Sequence, residues 1–322
     1  LKEEIAFLEF QGVSKRYGST VALQDLSFSI PQGVTCAFVG ANGAGKTTTF
    51  SLVGTFIRPN AGVILVNGIP HTKYRARGGA IGLLPQDMQF FEDRSLVRQL
   101  KTFAELAGFT AKKALEEAHR VLELVGLQDR FRDRPDSLSH GMKVRLGVAQ
   151  ALIGSPPLVL LDEPTAGLDP NMRVSFRSWI EEIKAETTLV ISSHELGELQ
   201  LLCDYVCVID SGRLVAQGSM EDFLGSVRKV RFHVESVFVD WLLLKDKYPN
   251  IQIKNLDEQN LEVHFDPSDY SLPDVNRIIL GYLIEKGVGV YEVKSQRSLE
   301  QSYLTATGKG DIETEASTGQ SE

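Results

Sequence analysis

An α/β fold with a mixed sheet core, an inserted helical block and a small C-terminal α+β domain is predicted by three observations. Short apolar runs alternate with helical stretches over the first two thirds of the chain. The segment Gly40, Ala41, Asn42, Gly43, Ala44, Gly45, Lys46, Thr47 follows the apolar run Val34–Val39, a strand–loop–helix context in which a glycine-rich loop cradles phosphate. Beyond Gly225 the expected elements follow the order β-α-β-β-α-β, which a small split βαβ, ferredoxin-like sandwich requires.

The chain has 322 residues, of which 43% are apolar, enough for a large core and more than one average domain needs. The expected organisation is a nucleotide-binding domain over 1–224 with its helical subdomain at about 87–150, an accessory domain over 225–308, and an acidic, disordered tail over 309–322. A formal charge of −8 gives no electrostatic reason to expect nucleic acid as a partner, because phosphate contacts need clustered Lys and Arg. Apolar runs such as Leu158–Leu161 and Trp241–Leu244 are far below the roughly 20 residues that span a bilayer. No signal-peptide pattern is present. Cys36, Cys203 and Cys207 lie in or beside apolar stretches without metal spacing, so reduced core thiols of a cytosolic protein are expected.

Alternation of apolar and polar residues over Ala6–Phe10 and Leu26–Ile30 predicts an antiparallel, hairpin-like start. A further strand pair is expected at Gly62–Val66 and Ala80–Leu84. Between Asp87 and Ser137 the period becomes helical, with Leu96, Leu100, Phe103, Ala104 and Ala107 on one face and Leu115, Ala118, Val121, Leu122 and Val125 on another. Runs at Leu158–Leu161, Thr188–Ile191 and Tyr205–Ile209 separated by helices predict a parallel sheet. In the last third, strands are expected at Lys229–Val234, Ile251–Asn255, Leu261–Phe265 and Val288–Val293, and helices at Val237–Tyr248 and Pro273–Lys286.

The glycines of the 40–47 loop allow backbone N–H groups to close around phosphate oxygens. Lys46 reaches the outer phosphates, Thr47 offers a hydroxyl to Mg²⁺, and the helix beginning there points its positive end at the anion. The run Leu158–Leu161 ends in Asp162 and Glu163, placed so that one carboxylate holds Mg²⁺ through water and the other orients or deprotonates an attacking water.

With those motifs in place the region from Ala6 to about Leu224 resembles the ATPase subunits of ABC transporters. Leu138-Ser139-His140-Gly141-Met142 resembles their signature loop, usually Leu-Ser-Gly-Gly-Gln; it keeps Ser139 and Gly141, while His140 and Met142 depart from it in a form typical of an exporter branch. The resemblance implies that Tyr17 stacks on adenine, that Gln86 senses Mg²⁺ and the terminal phosphate, and that Ala166–Asp169 communicates across a dimer. It further implies that His194 contacts the γ-phosphate and assists Glu163 and Lys46 in catalysis, and that the loop from Gly40 to Thr48 encloses ATP together with Ser139–Met142 of a second protomer. The implied partners are a second copy or a related ATPase subunit and a membrane permease on a separate chain, docked on the 87–137 block. The implied location is the inner face of the plasma membrane. Ser298–Leu304 with Thr307 and Gly308 looks like the closing helix of the accessory domain found in that branch, where dimer contact or regulation is the functional expectation. A soluble relative acting on ribosomes or DNA is the alternative; such relatives carry two modules in one chain or long inserted coiled coils, and neither pattern is found. A GTPase or small-molecule kinase would need a base-reading Asn-Lys-any-Asp loop or a lid, and the sequence has no such loop.

Overall fold

The computed structural model describes residues 6–76, 80–184, 187–193, 196–224, 229–237, 239–266, 269–295, 299, 303, 306 and 307. The chain divides into two compact units, one running to Met220 and rejoined from Tyr303, the other covering Glu221–Ser302.

The first unit opens with β1 (Ala6–Tyr17) and β2 (Thr20–Pro31), an antiparallel hairpin longer than the apolar alternation alone marks. Then come β3 (Thr35–Val39), α1 (Lys46–Val53), β4 (Ala61–Val66), β5 (Ile69–Pro70), α2 (His71–Ala76) and β6 (Ile81–Leu84). The helical block contains α3 (Leu96–Leu106) and α4 (Ala111–Leu124), and leads into α5 (His140–Ala151). The unit continues through β7 (Leu158–Asp162), α6 (Pro170–Ile183), β8 (Thr188–Ser192), α7 (Leu196–Leu202), β9 (Tyr205–Asp210), β10 (Arg213–Ser219) and α8 (Met220–Leu224), at which the two units meet along the chain.

Two sheets result. One is antiparallel in the order β2-β1-β4-β5; the other has the order β10-β9-β3-β8-β7-β6, parallel except for the β9–β10 pair. β3, β7 and β8 are buried along their whole length, as continuous apolar runs covered on both faces require. The strands expected as a pair at 62–66 and 80–84 both form but do not pair: β4 joins β1 in the first sheet, while β6 is the parallel edge beside β7 in the second. Hydrophobic pattern marks a strand without naming its neighbour, which is decided by packing between distant segments.

A core shared by the two sheets carries an aromatic ladder from Phe10 to Phe28 (4.5 Å between centroids), Phe38 (5.6 Å) and Phe50 (5.7 Å). Each such contact contributes about 0.5–1.5 kcal/mol beyond area burial. Because the ladder ties β1 and β2 to β3 and α1, it fixes the two elements between which the 40–45 loop is strung. In the helical block α3 buries Leu96, Leu100 and Ala104 as expected, but α4 turns Ala114 inward and leaves Leu115 exposed. Both residues fit a helical period, and the smaller one is accommodated where α4 packs close to its neighbours.

The second unit is built from β11 (Lys229–Val234), α9 (Leu242–Lys247), β12 (Gln252–Asn255), β13 (Asn260–His264), α10 (Leu272–Glu285) and β14 (Val290–Ser295). Its strands pair antiparallel in the order β12-β13-β11-β14, the split βαβ arrangement. Its separate core is centred on Phe232, Val263, Val275, Ile279 and Leu283. The helix expected over 237–248 is confined to Leu242–Lys247. Most of the expected closing helix at 298–304, and the whole tail over 309–322, lie outside the described residues.

Candidate functional site

The site begins where β3, held between β8 and β9, runs out at Val39 and the chain turns through Gly40–Gly45 into α1. Gly45 caps α1 with φ 109°, and a Cβ there would stand 2.6 Å from Leu23 Cδ2 and 2.9 Å from the Ala22 carbonyl, so the hairpin end of β2 presses on the loop where a side chain would be. Asn42, Gly43 and Thr47 are exposed, Ala44 is buried, and Thr48 lies between those limits. The Ala44 N–H donates to the Ala41 carbonyl at 3.0 Å, closing the turn. The first-turn N–H groups of a helix have no intrahelical acceptor, so the start of α1 presents donors and positive dipole to the loop. Lys46, only 7% exposed, donates from Nζ to the carbonyls of Gly40 (2.8 Å) and Ala41 (3.4 Å). Its Nζ also lies 3.8 Å from Glu163 Oε1.

Asp162 and Glu163 close β7. Parallel pairing sets Asp162 opposite Ser192 at the end of β8. The buried Ser192 hydroxyl donates to Asp162 Oδ1 at 2.5 Å and accepts from the Glu163 N–H at 2.9 Å, and that N–H also reaches the Ser192 carbonyl at 3.2 Å. One small hydroxyl therefore fixes the direction of the first carboxylate and the backbone of the second. Glu163 adopts φ 52°, the left-handed region that side-chain-bearing residues enter rarely, and its carbonyl accepts from the Ala166 N–H at 3.2 Å. Such a conformation persists only where the surroundings over-determine it.

Ser139 is the N-cap of α5; its hydroxyl accepts from the Met142 N–H at 3.4 Å. The helix thus begins three residues before the Lys143 start expected from the sequence, and His140 stands in its first turn with ordinary helical backbone. A side chain at that place therefore carries no left-handed strain. Gly141 packs against Met172, and Arg145 donates to Met172 Sδ at 3.2 Å while its guanidinium lies 4.9 Å from the Trp179 ring centre. Burial draws the Arg145 pKa below the usual guanidinium value, against the opposing charge of Asp169. Asp169 caps α6, accepting from the Met172 N–H at 2.9 Å.

Of the residues singled out by sequence, the Gly40 carbonyl and the Glu163 carboxylate converge on Lys46 and Asp162 is held next to Glu163 by Ser192, whereas Ser139, His140, Gly141, Met142 and Asp169 gather around the starts of α5 and α6. Gln86, exposed, shares with His140, Asp87, Met88 and Lys143 the wall of a cavity of about 470 Å³. Tyr17 ends β1 with 49% of its surface exposed and Lys15 Nζ 5.2 Å from its ring centre. His194 lies outside the described residues. Ser192, one position beyond the run expected at Thr188–Ile191, is the residue that the motifs do not mark. Its signal was its place at the end of a buried strand, but the strand register that makes it useful is not written in any local motif.

A mostly parallel sheet whose central strand delivers a glycine-rich loop to a helix start, next to a strand ending in two carboxylates, defines a phosphate-loop nucleoside triphosphatase. The ABC transporter family model matches residues 23–166. The chain is 36% identical over 224 residues to the Nod factor export ATP-binding protein I of Cupriavidus pinatubonensis, covering 69% of each chain. It is 28% identical over 311 residues to a linearmycin resistance ATP-binding protein of Bacillus subtilis, covering 94% of this chain and 98% of the relative. A solved ATP-binding subunit of an ABC transporter superposes with a TM-score of 0.61 at 28% identity, over 67% of this chain and 91% of that one. The protein belongs to the ABC transporter ATP-binding family and is an ATPase whose subunit serves transport.

Proposed function

We propose that the protein powers export through a separate membrane permease, by head-to-tail pairing of two ATPase subunits around ATP. The observation that carries the reading is the convergence of Lys46 and Glu163, 3.8 Å apart, at the mouth of the 40–45 loop, with Asp162 anchored beside them by Ser192. Lys46 and the N–H groups of the loop and of α1 bind the β- and γ-phosphates, Asn42 to Thr48 line the nucleotide, and Tyr17 stacks on the base. Glu163 accepts the proton of the attacking water, and His194 steadies the γ-phosphate. Ser139, Gly141 and Met142 of one protomer cover the nucleotide of the other, with Asp169 at the seam, while His140 in the same loop faces the Ala166 carbonyl of its own protomer.

The donor set fits Mg²⁺: the Thr47 hydroxyl, the Gln86 amide oxygen and the Asp162 carboxylate are all hard oxygen ligands, and a site with few protein ligands leaves room for water and phosphate oxygens. When bound there the ion supplies neutralisation of phosphate charge. Asp162, whose carboxylate the Ser192 hydroxyl holds in place, would help to hold the ion.

Export, and not import, is supported by relatives named for Nod factor export and linearmycin resistance. Gln86 joins β6 to the helical block and shares a cavity wall with His140, so a change at the phosphate has a short route to the block on which a permease docks. Among the described residues no helix is long and apolar enough to cross a membrane, in keeping with a subunit held peripherally at the cytoplasmic face. The second unit contributes dimer contact or regulation.

Glu163→Gln keeps the shape of the side chain and removes its basicity. The variant should bind ATP with affinity near that of the parent, lose steady-state turnover by at least about a hundredfold, and accumulate as a nucleotide-bound dimer on size-exclusion chromatography. Retained turnover would remove Glu163 from its role, and an ATP-loaded variant that stays monomeric at saturating protein would remove the composite site.

A further inference from the structure

We propose that His140 is a positioning residue of this ATPase: within its own protomer it holds the 163–166 turn, and with it the Glu163 carboxylate, through the Ala166 carbonyl. His140 Nε2 lies 3.1 Å from that carbonyl oxygen. A carbonyl can only accept, so the ring carries its proton on Nε2 and donates it. The ring has this reach because Gly167, at φ 71°, offers no side chain: a Cβ there would stand 3.3 Å from His140 Nε2. From Ala166 the connection continues, since its N–H donates at 3.2 Å to the Glu163 carbonyl. The two bonds grip one peptide segment from opposite ends, and what they grip is the turn that keeps Glu163 at φ 52°.

The rest of the α5–α6 contact makes the brace stiff. Gly141 packs on Met172, Arg145 donates to the same sulfur, and Asp169 caps α6 immediately beyond the turn. Ser192 fixes the start of the turn through the Glu163 N–H. His140 thus reaches the far end of the turn from the signature helix. Where a relative has glycine at this position the ring and its bond are absent, so the brace is a feature of the histidine and not of the loop in general. The inference rests on the reading of Glu163 as the general base. It differs from a contact of His140 with nucleotide held by a second protomer, which would act on ATP affinity.

The test compares His140→Gly and His140→Gln in the full chain, by steady-state ATP turnover with Mg²⁺ and by nucleotide binding. Loss of one brace hydrogen bond should lower kcat by about three- to tenfold in His140→Gly while KM for ATP stays within about twofold. Gln should restore most of kcat, because its amide N–H reaches about as far as Nε2. Unchanged kcat in His140→Gly, a loss confined to KM, or failure of Gln to do better than Gly would each overturn the proposal. A second measurement needs no variant: ¹⁵N imidazole spectra of the parent protein should show His140 protonated on Nε2, and a neutral ring protonated on Nδ1 alone would overturn it as well. Glu163→Gln separates the two levels. If that variant turns over normally, the base assignment falls and the purpose of the brace with it; if it is inactive while His140→Gly is fully active, the brace alone is wrong.

Discussion

Ser192→Ala removes one oxygen atom from the fully buried end of β8 and leaves packing almost unchanged. That oxygen makes two bonds, donating to Asp162 Oδ1 at 2.5 Å and accepting from the Glu163 N–H at 2.9 Å. A hydrogen bond to a charged group contributes about 1.5–3 kcal/mol net. The Glu163 N–H retains the Ser192 carbonyl at 3.2 Å, so its loss adds little. The expected destabilisation is therefore about 2 kcal/mol, which for a unit of this size lowers Tm by about 4–8 °C. Turnover should fall further than stability suggests, because both carboxylates lose the group that aims them. Thermal melting of the full chain, followed by circular dichroism without nucleotide, reads the first quantity, and ATP turnover reads the second. The double variant Asp162→Asn with Ser192→Ala should cost less than the sum of the two single changes, since the residues share one bond. A Tm shift below about 1 °C, or strict additivity in that cycle, would show that the hydroxyl carries no load.

Two further outcomes concern chemistry outside the nucleotide site. Glu262, 9% exposed in its side chain, sits among Lys229 (3.6 Å), Arg231 (3.5 Å) and His264 (2.5 Å). Burial works to raise its pKa, but the His264 hydrogen bond and the surrounding cations outweigh it and hold the carboxyl below its usual value. A depressed folded pKa stabilises above the unfolded value of about 4.3 and is lost as pH falls through the folded one. Glu262→Gln should accordingly lower the urea midpoint of the second unit at pH 7, with the deficit shrinking as the pH is taken progressively below the unfolded carboxyl value of about 4.3; an offset independent of pH would contradict this. The buried thiols Cys36 and Cys203 are both pushed up in pKa, chiefly by burial, with neighbouring Cys207 adding to the effect at Cys36. At pH 8 a thiol-reactive dye should label neither in the folded protein and both in urea; rapid labelling without denaturant would show that this core opens.

What the sequence carried well was whatever is written in consecutive residues. The 40–47 loop, the buried runs of β3, β7 and β8, and the order of elements in the second unit all depend on local backbone preference and on which face is apolar. Partnership between elements was less legible. Gly62–Val66 and Ala80–Leu84 look alike as strands yet belong to different sheets. Leu115 and Ala114 fit the same helical period, and only the closeness of the packed neighbours selects the smaller residue for burial. Ser139, a good N-cap residue followed by a helical run, did mark the true start of α5, a signal hidden by attention to its place in the signature loop.

The same distinction runs through the site and explains why its supporting groups were the part missed. Lys46, Asp162 and Glu163 stand in motifs that chemistry requires to be contiguous, because a loop must wrap a phosphate and a strand end must project a carboxylate. Ser192 and the Ala166 N–H act on those residues from 30 and 3 positions away, to Asp162 and Glu163 respectively, through a strand register and a turn that no motif encodes. His140 was legible only as a departure from the usual glycine; its own chemistry pointed to nothing until the structure set a carbonyl 3.1 Å from its ring. A left-handed glutamate is the common object of all three contacts. Since a conformation that is strained for its residue type relaxes unless several bonds oppose it, the positions that hold Glu163 should be the ones where substitution lowers turnover without weakening ATP binding, and the residues that touch nucleotide the ones where both change together.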